Sequence, residues 1–118
     1  MKKWWRVSLG IILLDQTVKF IVLKYFPNLA VVNRGVSFGL LASDLWFLVN
    51  LMIVLGLIVL LKGSWAKGLI IGGAVSNVLD RLIRGAVIDY LHLGILPVFN
   101  LGDVSICLGV IILVIAFC

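Results

Sequence analysis

The sequence predicts an all-α polytopic membrane protein: four transmembrane helices with a small extracytoplasmic β element, in one domain over residues 1–118. Three observations point there. Apolar residues make up 64% of the chain, and the mean hydropathy is +1.28. Charged residues make up only 13%, against about 25% in soluble domains. A chain this short has a large surface for its volume, and so little polar material cannot cover it. A soluble globular domain, a disordered tail and a disulfide scaffold are thereby excluded.

A spanning helix needs about 20 mostly apolar residues. The first candidate runs from Val7 to Phe26 and is interrupted by Asp15, Gln16, Lys19 and Lys24. Its basic start (Lys2, Lys3, Arg6) suits a signal peptide, but the charged core and the lack of a small-residue cleavage site argue against a cleaved leader. The segment Leu29 to Leu41 is β-rich and broken by Gly35 and Gly39, which predicts a short strand pair or a re-entrant loop. The second span is Leu45 to Leu61, with Asn50 its only strongly polar side chain, and the third is Ala66 to Ile83. From Gly85 to Gly102 the chain is again extended, and Pro97 prevents a continuous helix. Unpaired backbone cannot sit in lipid, so the two extended segments are expected to pair, pack on protein or face water. The fourth span covers about Leu101 to Cys118, and a start before Asp103 would lengthen it.

Ten basic residues outnumber five acids, all of them Asp, for a net charge of +5. The excess reads as loop charge that sets orientation rather than as a nucleic-acid surface. Lys2, Lys3, Arg6, Lys62 and Lys67 place both termini in the cytoplasm. Lys24, Arg34, Arg81 and Arg84 then fall toward the other side, the last two beside Asp80 and Asp89. Trp4, Trp5, Trp46 and Trp65 lie at span ends, where amphipathic rings prefer the interface.

An ionisable side chain at the bilayer centre costs about 2.5–3.5 kcal/mol on insertion scales. Three polar clusters therefore need a reason to exist. Asp15 and Lys19 are four apart on one helix face, which suits either a neutralising pair or substrate contact. Asn77, Asp80, Arg81 and Arg84 form a stripe at the end of the third helix. Gly72 and Ser76 behind them form a small-xxx-small pair that permits close helix approach. Arg84 reads as a long basic side chain reaching the interface, whereas Asn77 and Asp80 are too short to escape and read as site residues. Asp89 and Asp103 close the two ends of one outer loop. Each has a plain reading, a loop Asp and a first-turn helix residue. The returning loop also allows their carboxylates to converge, and such a pair can activate a water.

Cys107 and Cys118 read as small apolar packing residues, and the lone His92 as a packing or surface residue. No serine has a Lys or His partner that spacing identifies. A small four-span proton-coupled transporter is the main alternative, but its acids would lie near the midplane rather than at one face. A purely structural subunit would have no evident use for acids at both ends of one outer loop.

Four blocks resemble one family in order: LDQTVK (Leu14 to Lys19), NRGVSFG (Asn33 to Gly39), GGAVSNVLDRLIRGAVIDYL (Gly72 to Leu91) and FNLGD (Phe99 to Asp103). The family is lipoprotein signal peptidase, signal peptidase II of bacteria. The resemblance implies a four-helix inner-membrane aspartic peptidase with both termini cytoplasmic and a β-cradle on the outer leaflet. It implies removal of the signal peptide from lipid-modified prolipoproteins, before the diacylglyceryl-cysteine, by a monomer among membrane lipids. Carried over by motif position, Asp89 and Asp103 are the catalytic pair. Asp15, Lys19, Asn33, Asn77, Asp80, Arg81 and Asn100 then shape the site and bind the substrate backbone or the inhibitor globomycin. No metal, organic cofactor or nucleic acid is implied. Gly102 stands where the family usually has Ala, and Ser76 where Gly is common; both are small, so little effect on packing is expected.

Overall fold

The computed structural model describes residues 3–33, 48–49, 51–53, 55–56, 60 and 65–116. Helix α1 spans Trp4–Tyr25, followed by a 3-10 turn at Pro27–Leu29 and strand β1 at Val31–Asn33. Helix α2 spans Trp65–Arg84, strand β2 Val87–Asp89 and helix α3 Leu101–Ala116. The first, third and fourth expected spans are thus helices, with ends shifted by a few residues. The described residues of the second span, at 48–49, 51–53, 55–56 and 60, are helical; the rest of it lies outside the described residues, as do Arg34, Cys118 and the NRGVSFG block beyond Asn33.

Helix α2 is the centre of the bundle. It runs parallel to α1, with the Ser8 hydroxyl donating to the Gly68 carbonyl at 2.8 Å near one end and Lys19 reaching Asp80 near the other. It runs antiparallel to α3, where the Ser105 hydroxyl donates to the Leu69 carbonyl at 2.6 Å and Gly73 abuts Gly102. Small residues permit these contacts. A Cβ on Gly72 would lie 2.9 Å from Ser8 Cα, and one on Gly73 would strike the Gly102 carbonyl oxygen. The close approach expected of Gly72 and Ser76 is therefore present. Because α1 and α2 are parallel, the chain leaves α1 at one end of the bundle and enters α2 at the other.

At the far end, Gly85 closes α2 with φ +78°, its amide bonded to the Arg81 carbonyl. Of the three alternatives open to them, the two extended segments take pairing. β1 and β2 are antiparallel, with Val31 opposite Asp89, Val32 opposite Ile88 and Asn33 opposite Val87. Leu91 and Phe99 form a bridge that closes the outer loop and returns the chain beside β2.

Polarity is distributed inside out. Ser8, Asp15, Lys19, Ser76, Asp80, Asp89, Asn100 and Ser105 are buried, while Leu13, Phe20, Leu82, Ile83 and Ile115 are exposed. Among the described residues no helix is long and apolar enough to cross a membrane, so four spanning helices do not follow from helix length and hydropathy. The physical reasons differ by helix. α1 and α2 contain charged residues along their length, and α3 has 16 residues, about 24 Å at 1.5 Å per residue. One packing expectation is corrected: Cys107 is exposed, because it lies on the outward face of α3, opposite the face that Ser105 and Gly109 turn to α2.

Candidate functional site

The site is built in two connected halves. The first lies between α1 and α2. Asp15 and Lys19, one turn apart, both face α2 and are wholly buried. Lys19 Nζ is 2.7 Å from Asp15 Oδ2 and 2.7 Å from Asp80 Oδ2, so one cation joins two carboxylates. Asp80 in turn accepts from Arg84 Nη1 at 2.7 Å, from Gln16 Nε2 at 2.8 Å and from the Ile88 amide at 3.0 Å. The last bond anchors β2 to α2. Gln16 spans the same face: its amide nitrogen also donates to the Ser76 carbonyl and hydroxyl, and its oxygen accepts from Arg84. Ser76 donates to Asp15 Oδ2 at 2.7 Å. Two carboxylates and two cations leave this half neutral. A fully bonded neutral cluster is the condition under which charges tolerate burial.

The second half surrounds the start of α3. Asn100 is fully buried and precedes the helix. Its Oδ1 accepts from the Asp103 amide at 2.9 Å, while Asp103 Oδ2 accepts from the Asn100 amide at 3.1 Å. This is the reciprocal geometry of a capping box, with Asn and Asp as its partners. The Asn100 side-chain amide meanwhile donates to Asp89 Oδ1 at 2.9 Å, to the Ile88 carbonyl at 3.2 Å and to Asn77 Oδ1 at 3.1 Å. Asn77 Nδ2 donates to Asp103 Oδ1 at 3.1 Å. Asp89 and Asp103, fourteen positions apart, thus converge on one asparagine. Asp89 is buried and Asp103 only partly so. A carboxylate that caps a helix while one face stays open can hold its place and still meet a ligand.

The structure brings Asp15, Lys19, Asn77, Asp80, Asp89, Asn100 and Asp103 into one network. Arg81 lies on α2 within electrostatic range of Asp80 and Asp89. Asn33 is placed by its backbone, opposite Val87 on the sheet that bears Asp89. Arg84, read as an interfacial cation, instead pairs with Asp80 and Gln16. Sequence reasoning missed the roles of Gln16, Ser76 and Tyr90. Gln16 and Ser76 had a faint signal, since each lies on a helix face already marked as polar. Tyr90 had none, because its hydroxyl partner, Asp15 Oδ1 at 2.7 Å, is 75 positions away. Burial, with this bond, pushes the Tyr90 phenol well above its ordinary range, so it stays protonated. His92 is exposed, with a ring nitrogen 2.8 Å from the Leu29 carbonyl. Among the described residues no group of three or more His, Cys, Asp or Glu could hold a metal ion.

Comparison with known proteins shows the family and the fold. Residues 7–118 match the family described as signal peptidase (SPase) II. The chain is similar to the lipoprotein signal peptidase of Bacillus subtilis, 31% identical over 93% of this chain and 89% of that protein. It is similar to the lipoprotein signal peptidase of Halalkalibacterium halodurans, 33% identical over 91% of this chain and 86% of that protein. Two solved structures, both described as bacterial membrane enzymes, share the fold. One has a TM-score of 0.82 at 23% identity, covering 99% of this chain and 88% of its own. The other has a TM-score of 0.80 at 24% identity, covering 99% and 93%.

Proposed function

The chain belongs to the signal peptidase II family, a family of peptidases, and from that premise we propose that it is an intramembrane aspartic endopeptidase. Its reaction is removal of the signal peptide from diacylglyceryl-modified bacterial prolipoproteins, by cutting before the lipidated Cys. Asp89 and Asp103 activate the water. The observation that carries this reading is the shared asparagine: Asn100 bonds the Asp89 carboxylate with its side chain and the Asp103 carboxylate with its backbone.

The reaction needs one carboxyl group of the pair ionised and the other protonated. The ionised member takes a proton from water as the water oxygen bonds to the scissile carbonyl carbon. The protonated member gives its proton to the carbonyl oxygen, forming a neutral tetrahedral intermediate. The pair has now exchanged roles. The second member recovers the proton from one intermediate hydroxyl, the first protonates the leaving nitrogen, and the C–N bond breaks. The products are an acid and an amine, and the pair returns to its starting state. Asp15, Lys19, Asn33, Asn77, Asp80, Arg81 and Asn100 shape the site and bind the substrate backbone, or globomycin in its place.

The site of action proposed is the cytoplasmic membrane, crossed by four spans; the inside-out polarity of the described residues supports a bilayer location. An average along a helix counts charged residues that the bundle hides. Asp15 and Lys19 lower the apolarity of α1 although neither reaches its exterior. A cytoplasmic position for the N-terminal end is supported by the packing of Lys67 over Trp4, ring centroid at 4.6 Å, which gathers basic residues of α1 and α2 at the end away from Asp89. The test is cleavage of a diacylated prolipoprotein by purified Asp89→Asn and Asp103→Asn variants. Each should retain substrate or globomycin binding and lose cleavage. Near wild-type cleavage by either variant would overturn the dyad, and ion flux through proteoliposomes abolished by Asp89→Asn would favour a transporter.

A further inference from the structure

Tyr90 follows Asp89 and takes no part in the chemistry just described, yet its hydroxyl joins the two halves of the site. It donates to Asp15 Oδ1 at 2.7 Å and accepts the Leu101 amide, the first of α3, at 2.9 Å. Its own amide bonds the Phe99 carbonyl at 2.9 Å, so ring and backbone are both held. Asp15 Oδ2 is already occupied by Lys19 and Ser76. Oδ1 is therefore the free acceptor, and Tyr90 fills it. A second connection between the halves, Lys19 to Asn77, is longer at 3.2 Å.

We infer that Tyr90 is a positioning residue of the peptidase reaction, whose hydroxyl ties Asp15 of α1 to the first amide of α3 and so holds Asn100 and Asp103 in register with Asp89. The inference rests on the peptidase reading above. Leu101 lies between Asn100 and the rest of the capping turn, so displacement of its amide moves the residue both carboxylates share. A phenylalanine would supply the same buried ring. Only the hydroxyl supplies the tie, and a first-turn amide left without it is an orphan donor in a part-buried position. Tyr90 is buried and acts through Asp15 and Leu101, so its loss should change the rate of the bond-breaking step rather than the affinity for substrate.

The experiment measures cleavage of a diacylated prolipoprotein by the full chain, comparing wild type, Tyr90→Phe, Asp15→Ala and the double variant. Tyr90→Phe should lower kcat about 10- to 100-fold, the scale of one hydrogen bond to a charged group. KM should stay within about twofold, the pattern of an interaction that matters in the transition state. The double variant should be no slower than Asp15→Ala alone, because that variant has no oxygen to accept from Tyr90 and the tie is already broken. Wild-type kcat in Tyr90→Phe, a loss confined to KM, or losses that multiply in the double variant would each overturn the inference while leaving the peptidase reading intact. Should Tyr90→Phe fail to fold, 3-fluorotyrosine at position 90 keeps the ring and alters the bond. A changed kcat at constant KM supports the tie, and an unchanged kcat overturns it. A wild-type chain that does not cut the substrate overturns both readings.

Discussion

Replacing Lys19 with Met tests how charge is accommodated in the bundle. Lys19, Asp15 and Asp80 are fully buried, and the ammonium is 2.7 Å from each carboxylate. With Arg84 on Asp80, the four charges sum to zero. Lys19→Met leaves one net negative charge, because Arg84 still balances Asp80. The expected loss is therefore that of one broken buried pair, about 3–5 kcal/mol, rather than two. The longer bond to Asn77 adds little. Asp15→Asn in the Lys19→Met background restores neutrality and leaves an amide oxygen to accept from Tyr90, with the amide nitrogen facing the Ser76 hydroxyl oxygen, which can accept. That double variant should recover at least half of the loss. Equilibrium unfolding in mixed maltoside and dodecyl sulfate micelles measures both. A loss below about 1 kcal/mol, the level of an exposed pair, or a double variant no more stable than the single, would refute the reasoning.

Gly73→Ala should destabilise by about 1–3 kcal/mol, since the new methyl meets the Gly102 carbonyl oxygen and Ile106. Gly10→Ala in α1, with nothing within 4 Å, should be neutral or gain up to about 1 kcal/mol in the same unfolding assay. Asn100→Ala removes both the cap and the Asp89 donor, so it should lose about 0.5–2 kcal/mol together with cleavage. Asn100→Ser keeps a capping oxygen without the side-chain amide, and should hold stability while cleavage by the prolipoprotein assay falls as far as in Asn100→Ala.

Much of the fold was legible because its signals are local. Long apolar stretches marked three of the described helices' positions, and Gly85, Gly102 and Pro97 bounded the outer loop. That the two extended segments must pair, pack on protein or face water followed from the rule that backbone cannot be left unpaired in lipid; that they pair was decided by the fold. The start of α3 at Leu101 agrees with the expected span, but its cause, the mutual capping of Asn100 and Asp103, is a contact that a run of hydropathy does not register. At the site, Asp15 and Lys19 declared themselves by their spacing. Tyr90 did not, and Ser76 looked like a packing residue until its hydroxyl was found on Asp15.

From sequence alone come the polar residues that an apolar chain would not keep without a use, and the helical faces on which they stand, because periodicity and the cost of buried charge act along a single segment. Which of them meet was decided by tertiary structure. Asp15 joins Tyr90, Lys19 joins Asp80, and Asn100 joins Asp89 to Asp103 only because small residues let α1, α2 and α3 approach closely and a bridged loop folds back on β2. Such contacts depend on distances between segments, and no local pattern in the chain encodes them.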